Sequence, residues 1–105
     1  MILVNTDFIT GKQLETLELV RGSTIRAKHM GKDIVSGLKM IVGGELDAYQ
    51  QMIQEARAMA TKRMVDQAEA LRADAVINIR FATSTVAQGA AEVLVYGTAV
   101  KFLPT

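Results

Sequence analysis

The chain has 105 residues, half of them apolar and 22% charged, and its 12 basic and 11 acidic side chains leave a net charge of +1. That size and composition describe one globular domain, 1–105, with a modest core, and the charge balance offers no footprint for nucleic acid or an anionic membrane. The absence of cysteine excludes disulfides, thiolate metal sites and a cysteine nucleophile.

Ile2 to Val4 is a short apolar run that reads as a brief strand. It lacks the basic n-region of a signal peptide and is too short for an h-region, and no stretch approaches the ~20 apolar residues a membrane helix needs. A soluble cytoplasmic protein is the expectation. Gly11 and Lys12 mark a turn. From Thr16 to Lys28 the chain reads as extended, with Leu17, Leu19, Ile25 and Ala27 on one parity and Val20 on the other. Gly22 inside this pattern suggests a bulge or a close backbone approach, so the strand is expected to bend there.

Asp33 can cap a short helix, whose face is Ile34, Val35, Leu38, Ile41 and Val42. Gly43 and Gly44 end it or kink the path into the next helix. Glu45 to Arg72 carries the strongest helical signal. Leu46, Tyr49, Ile53, Ala56, Ala60, Met64, Ala68 and Leu71 recur at three- and four-residue steps as one stripe. Glu45 and Asp47 complement the positive end of the helix dipole, and Arg72 the negative end.

A β-hairpin follows. In its first strand Ile77, Ile79 and Phe81 share one face, expected against the helix, and Asn78 and Arg80 share the other. Its second strand, Ala90 to Phe102, is apolar on both faces. Ala91, Val93, Val95 and Ala99 point one way; Leu94, Tyr96, Val100 and Phe102 point the other. One long helix can cover only one of these faces, so the second is expected to be covered by another copy of the chain. Leu94, Tyr96, Val100 and Phe102 are thus the expected oligomer interface. With pairing centred near Ala87, Asn78 lies opposite Tyr96 and Arg80 lies diagonal to Glu92. Asn78, Arg80 and Glu92 then form a polar inter-subunit group that either sets register or lines a ligand pocket.

Five segments, Val20 to Ile25 (VRGSTI), Ile41 to Glu45 (IVGGE), Glu55 to Arg57 (EAR), Ala73 to Ala75 (ADA) with Arg80 and Phe81, and Gly89 to Glu92 (GAAE) through Tyr96 to Ala99 (YGTA), resemble the YbjQ-like family, a group that carries a heavy-metal-binding label. The match runs in order along nearly the whole chain. It implies an α+β subunit of dodecin-like architecture, with an antiparallel β-sheet and one long helix packed on it, assembled into a homopentamer through its strands. It implies no activity and no catalytic or ligand residues.

The heavy-metal label has a poor donor set to rest on. Soft ions take thiolate, thioether or imidazole ligands, yet His29 is the only histidine, and His29 with Met30 is the one place where two soft donors adjoin. Met52, Met59 and Met64 sit at helical spacing, where methionine is core filler more often than a copper ligand. With no serine-nucleophile elbow and no phosphate loop, the residues point to no catalytic group and to no cofactor. The reading is a non-enzymatic homo-oligomeric module of unknown ligand, with a metal-binding or metal-responsive protein as the alternative.

Overall fold

The structure is a computed structural model that describes residues 1–27, 44–87 and 90–104, and the side chains of all of these except 27 and 44–49. Its elements are β1 (Ile2–Leu3), β2 (Leu14–Ala27), α1 (Gly44–Ala70), β3 (Ala75–Ala87) and β4 (Ala90–Phe102). The strands form one four-stranded sheet in the order β1-β3-β4-β2, with α1 packed on one face. The fold is α+β, as the sequence indicates, but the sheet is mixed rather than antiparallel because β1 pairs parallel with β3. The expected helix from Asp33 lies outside the described residues, as do His29 and Met30.

The helical stripe buries as its period requires. Ala56, Ala60, Met64 and Ala68 have no accessible surface and meet Val20, Val76, Val93, Val95 and Ala99 across the sheet. Their small size lets the backbones close up. A Cβ built on Gly22 would stand 2.1 Å from the Ala60 carbonyl oxygen and 2.5 Å from the Met64 nitrogen. Of the two readings of Gly22, the close approach is the one realised. The register runs unbroken from Glu18 to Ala27, and the irregularity in β2 falls instead between Thr16 and Glu18.

The helix stops in a hydrogen-bonded cap. Ala73 N–H donates to the Ala68 carbonyl at 3.0 Å and Arg72 N–H to the Glu69 carbonyl at 2.9 Å, with Arg72 in the left-handed region at φ 59°. This is the Schellman arrangement, in which glycine commonly stands where Arg72 does. Asp74 then turns the chain into β3: its N–H donates to the Val100 carbonyl at 2.8 Å, and its Oδ2 accepts from Phe102 N–H at 2.8 Å.

A bulge in β3 changes the expected faces. Ile77 pairs with Thr98 and Arg80 with Tyr96, so Asn78 and Ile79 together oppose Gly97. Asn78 has φ 55°, a conformation asparagine tolerates better than most residues. The extra residue reverses the parity at this point. Val76 therefore faces α1, and Ile77 faces the other side, with Ala75 and Val100. Ile79 returns to the helix side and is half-buried there. Phe81 shares the helix-side face through its pairing with Val95 but is 50% exposed, because α1 lies along β2 and β4 and scarcely reaches β3. The expectation that Ile77 and Phe81 pack under the helix is thus corrected, whereas Val93 and Val95 do so.

The opposite face is covered at one end by the chain itself. Val4, Ile9, Leu14 and Phe102 pack on Ala75, Ile77 and Val100. The N-terminal segment also runs along the edge of β3, where Val4 N–H donates to Val76 O at 3.0 Å, Ile79 N–H to Val4 O at 3.2 Å and Asn78 N–H to Thr6 O at 2.9 Å. Beyond that cover β3 continues from Arg80 to Ala87 with exposed side chains throughout. The radius of gyration is 17.1 Å and the extents are 57 × 23 × 16 Å, against about 13 Å for the radius of a compact chain of this length.

Candidate functional site

Away from the N-terminal cover, no described element packs on the face opposite α1, the open face of the sheet. Strand pairing places Leu19 beside Thr98, Arg21 beside Tyr96, Ser23 beside Leu94 and Ile25 beside Glu92 on this one surface. From β3, Arg80, Ala82 and Ser84 pair with Tyr96, Leu94 and Glu92 respectively. Leu19 is 60% exposed, Ile25 63% and Tyr96 38%, and Leu94 is half-buried. Leu19, Tyr96, Leu94 and Ile25 follow one another across β2 and β4, interleaved with Thr98, Arg21, Ser23 and Glu92, and exposed apolar side chains grouped on one face mark an interaction surface.

The four interface residues expected from the sequence divide here. Leu94 and Tyr96 lie on the open face. Val100 has no accessible surface within the single chain, so it belongs to the chain's own core and cannot form an interface. Phe102 is held by the N-terminal segment, and Lys12 Nζ lies 4.9 Å from its ring centroid. The reason for the difference is the segment from Val4 to Leu14, which supplies cover that the alternation of β4 alone does not reveal. Leu19 and Ile25 take the vacated places on the open surface.

The polar group is also rearranged. Arg80 sits opposite Tyr96 and Glu92 opposite Ser84, because the hairpin centre falls one residue later than Ala87. Arg80 donates from Nη1 to the carbonyls of Asn5 and Ile79, both at 3.0 Å, which ties the N-terminal segment to the sheet edge. Asn78 serves the bulge. Asn78, Arg80 and Glu92 therefore do not converge on one site within the chain.

Glu92 instead lines a cleft of about 500 Å³ with Arg21, Gly22, Ser23, Leu94, Arg63 and Gln67. Two helix side chains one turn apart reach over the edge of β2 to build it. Arg63 Nη1 donates to the Ser23 carbonyl at 2.6 Å, and Gln67 Oε1 accepts from the Arg21 N–H at 3.0 Å. These bonds occupy backbone groups that an exposed edge strand would otherwise offer to another chain. Arg63 and Gln67 do not stand out in the sequence, where each reads as a solvated position on the outer face of a helix.

Donors suited to a metal ion are scarce among the described residues, which contain no group of three or more His, Asp or Glu side chains placed to hold one. The Met59 thioether, a possible soft ligand, is approached by the Arg26 guanidinium at 3.6 Å and the Thr24 hydroxyl at 3.9 Å. A cationic neighbour at that distance opposes a metal ion at the sulfur. Among the described residues no helix is long and apolar enough to cross a membrane.

A family model described as "Putative heavy-metal-binding" matches residues 1–103. A UPF0145 protein of Clostridium novyi is 68% identical over 103 residues, covering 98% of this chain and 100% of that one. A UPF0145 protein of Alkaliphilus metalliredigens is 66% identical over the same length with the same coverage. One from the archaeon Methanosarcina acetivorans is 59% identical over 104 residues and covers 98% of each chain. Among solved structures, a Pediococcus pentosaceus protein of unknown function from the DUF74 family superposes with a TM-score of 0.66 at 16% identity, covering 98% of both chains. That likeness supports the fold.

Proposed function

We propose that this chain, which belongs to the family described as "Putative heavy-metal-binding", works as a non-enzymatic, homo-oligomeric binding or structural module in the cytoplasm, with itself as its principal partner and without nucleic acid or membrane. The observation that carries this reading is the open sheet face. Leu19, Ile25, Leu94 and Tyr96 expose apolar surface on the sheet, next to a β3 edge that no other described strand pairs from Arg80 to Ala87. A long bare edge beside an apolar face favours self-association. The face and the edge are two different surfaces, which is what a closed head-to-tail ring uses. Five subunits is the number that the YbjQ-like resemblance implies.

Light scattering on protein eluting from a sizing column tests this directly. At micromolar concentration the mass is expected to be that of a pentamer of the 11.4 kDa chain. A compact monomer overturns the reading, and a different closed oligomer overturns the number alone.

The family's description favours a second reading, a heavy-metal-binding or metal-responsive protein. With no cysteine and one histidine in the chain, the ligand inventory for zinc or copper is poor. Protein purified without a histidine tag is expected to carry no stoichiometric zinc or copper and to bind either weakly on titration. Submicromolar binding by calorimetry that disappears in His29→Ala makes the metal reading the correct one.

A further inference from the structure

We propose that the cleft at the β2 edge binds a small organic anion, a carboxylate or phosphate ester that also carries a hydroxyl or amine donor. The cleft's volume, about 500 Å³, lies within the range of small-molecule sites, roughly 300–1,000 Å³. Its polar lining is dominated by donors. A guanidinium has five N–H donors in a fixed fork and no acceptor, and among the described residues one nitrogen of Arg63 is used, on the Ser23 carbonyl. Arg21 adds a second guanidinium, for which the described residues provide no ion pair. Gln67 spends its oxygen on the Arg21 N–H, which leaves its amide N–H₂ to donate. Two arginines and an amide donor lining one cleft match the oxygens of a carboxylate or phosphate, and they repel a metal cation.

The donors are held in place before any ligand arrives. Arg63 and Gln67 are successive turns of α1, each anchored to the backbone of β2. The close seating of Gly22 on Ala60 and Met64 brings the strand within their reach. Such anchoring reduces the ordering cost of binding. Glu92 is the one carboxylate among the described residues that line the cleft. It accepts hydrogen bonds and repels a second negative group, so it selects an anion with a donor beside its charge over a bare inorganic one. Leu94 supplies the apolar contact. All of these residues come from one chain, and because Arg21, Ser23, Glu92 and Leu94 also stand on the open sheet face, the inference requires the cleft to remain accessible at the margin of an oligomer formed there.

Calorimetric titration of the full-length protein with glycerol 3-phosphate, malate and inorganic phosphate tests the site, with ethanolamine as the cationic control. One or both of the hydroxylated anions are expected to bind more tightly than inorganic phosphate, and which one does so decides between phosphate ester and carboxylate. Ethanolamine is expected not to bind. Arg63→Gln and Arg21→Gln should each weaken the preferred anion about tenfold, the scale of one lost charge-assisted bond. Glu92→Gln should narrow the preference over inorganic phosphate. Arg21→Gln removes no bond to the backbone, so it carries the test if Arg63→Gln fails to fold. Absence of heat with every anion up to about 10 mM, or binding that neither arginine substitution changes, overturns the proposal.

Discussion

Gly22→Ala is expected to destabilise the fold by about 3 kcal/mol or more, at or above the upper end of the usual cost of overpacking a core. The new methyl group would fall 2.1 Å from the Ala60 carbonyl oxygen and 2.5 Å from the Met64 nitrogen, and 2.9 Å from the Arg63 Cβ. The two nearest atoms are helix backbone, which cannot swing aside as the end of a side chain can. The strand and helix must move apart, and every contact of Ala60 and Met64 with Val20, Val93 and Val95 loosens with them. Gly11→Ala is the matched control. Gly11 has φ 78° with open space around its α-carbon, so alanine there pays only for its left-handed backbone, about 1–2 kcal/mol. Urea denaturation of the two variants and the wild type makes the comparison. A loss at Gly22 no larger than that at Gly11 means that the helix and strand are not held at the separation described.

Placing glutamates at Leu19 and Tyr96 together is expected to abolish assembly. The two residues stand on the open face, 60% and 38% exposed in the single chain, and their backbone positions already tolerate exposure to water. The folded chain should therefore accept the changes while the oligomer does not. Fully burying four large apolar side chains of this face contributes about 6–12 kcal/mol at the usual value per side chain, against an association cost of about 4–15 kcal/mol. Two unpaired carboxylates in such an interface reverse that balance. Light scattering should give the monomer mass, or the protein should be lost to the pellet through its uncovered strand edge. Soluble protein of wild-type mass would place the interface elsewhere. Phe102 is the wrong target for this experiment, because its packing belongs to the N-terminal segment of its own chain.

What the sequence discloses and what it conceals divide by distance along the chain. The α1 stripe is legible because a 3.6-residue period is a local property, and Ala56, Ala60, Met64 and Ala68 all bury as that period requires. The alternation of β4 is legible for the same reason. Asn78 illustrates the limit. Its left-handed backbone inserts one residue opposite Gly97 and exchanges the faces of Val76 and Ile77, yet an asparagine between two isoleucines carries no sign of a bulge. The path of α1 along β2 and β4, which leaves Phe81 uncovered, is a choice of tertiary packing that no window of sequence contains. The cleft is hidden more deeply. Arg21 lies in a segment that marks the family resemblance, but its partner Gln67 is 46 positions away, and Arg63 reaches Ser23 across 40.

The strand order has a consequence for the moment of synthesis. β4 is hydrogen-bonded on both sides, to β2 and to β3, and the core residues Val93, Val95 and Ala99 lie on it. It is also the last of the described strands in chain order. Until residues 90–102 emerge, β2 has no neighbour to pair with among the described strands, and the apolar stripe of α1 lacks Val93, Val95 and Ala99 from the floor it packs on. At about 5–20 residues per second, β2 waits several seconds as an unpaired extended segment. The topology therefore makes β2 and α1 depend on a strand that is synthesised after both of them.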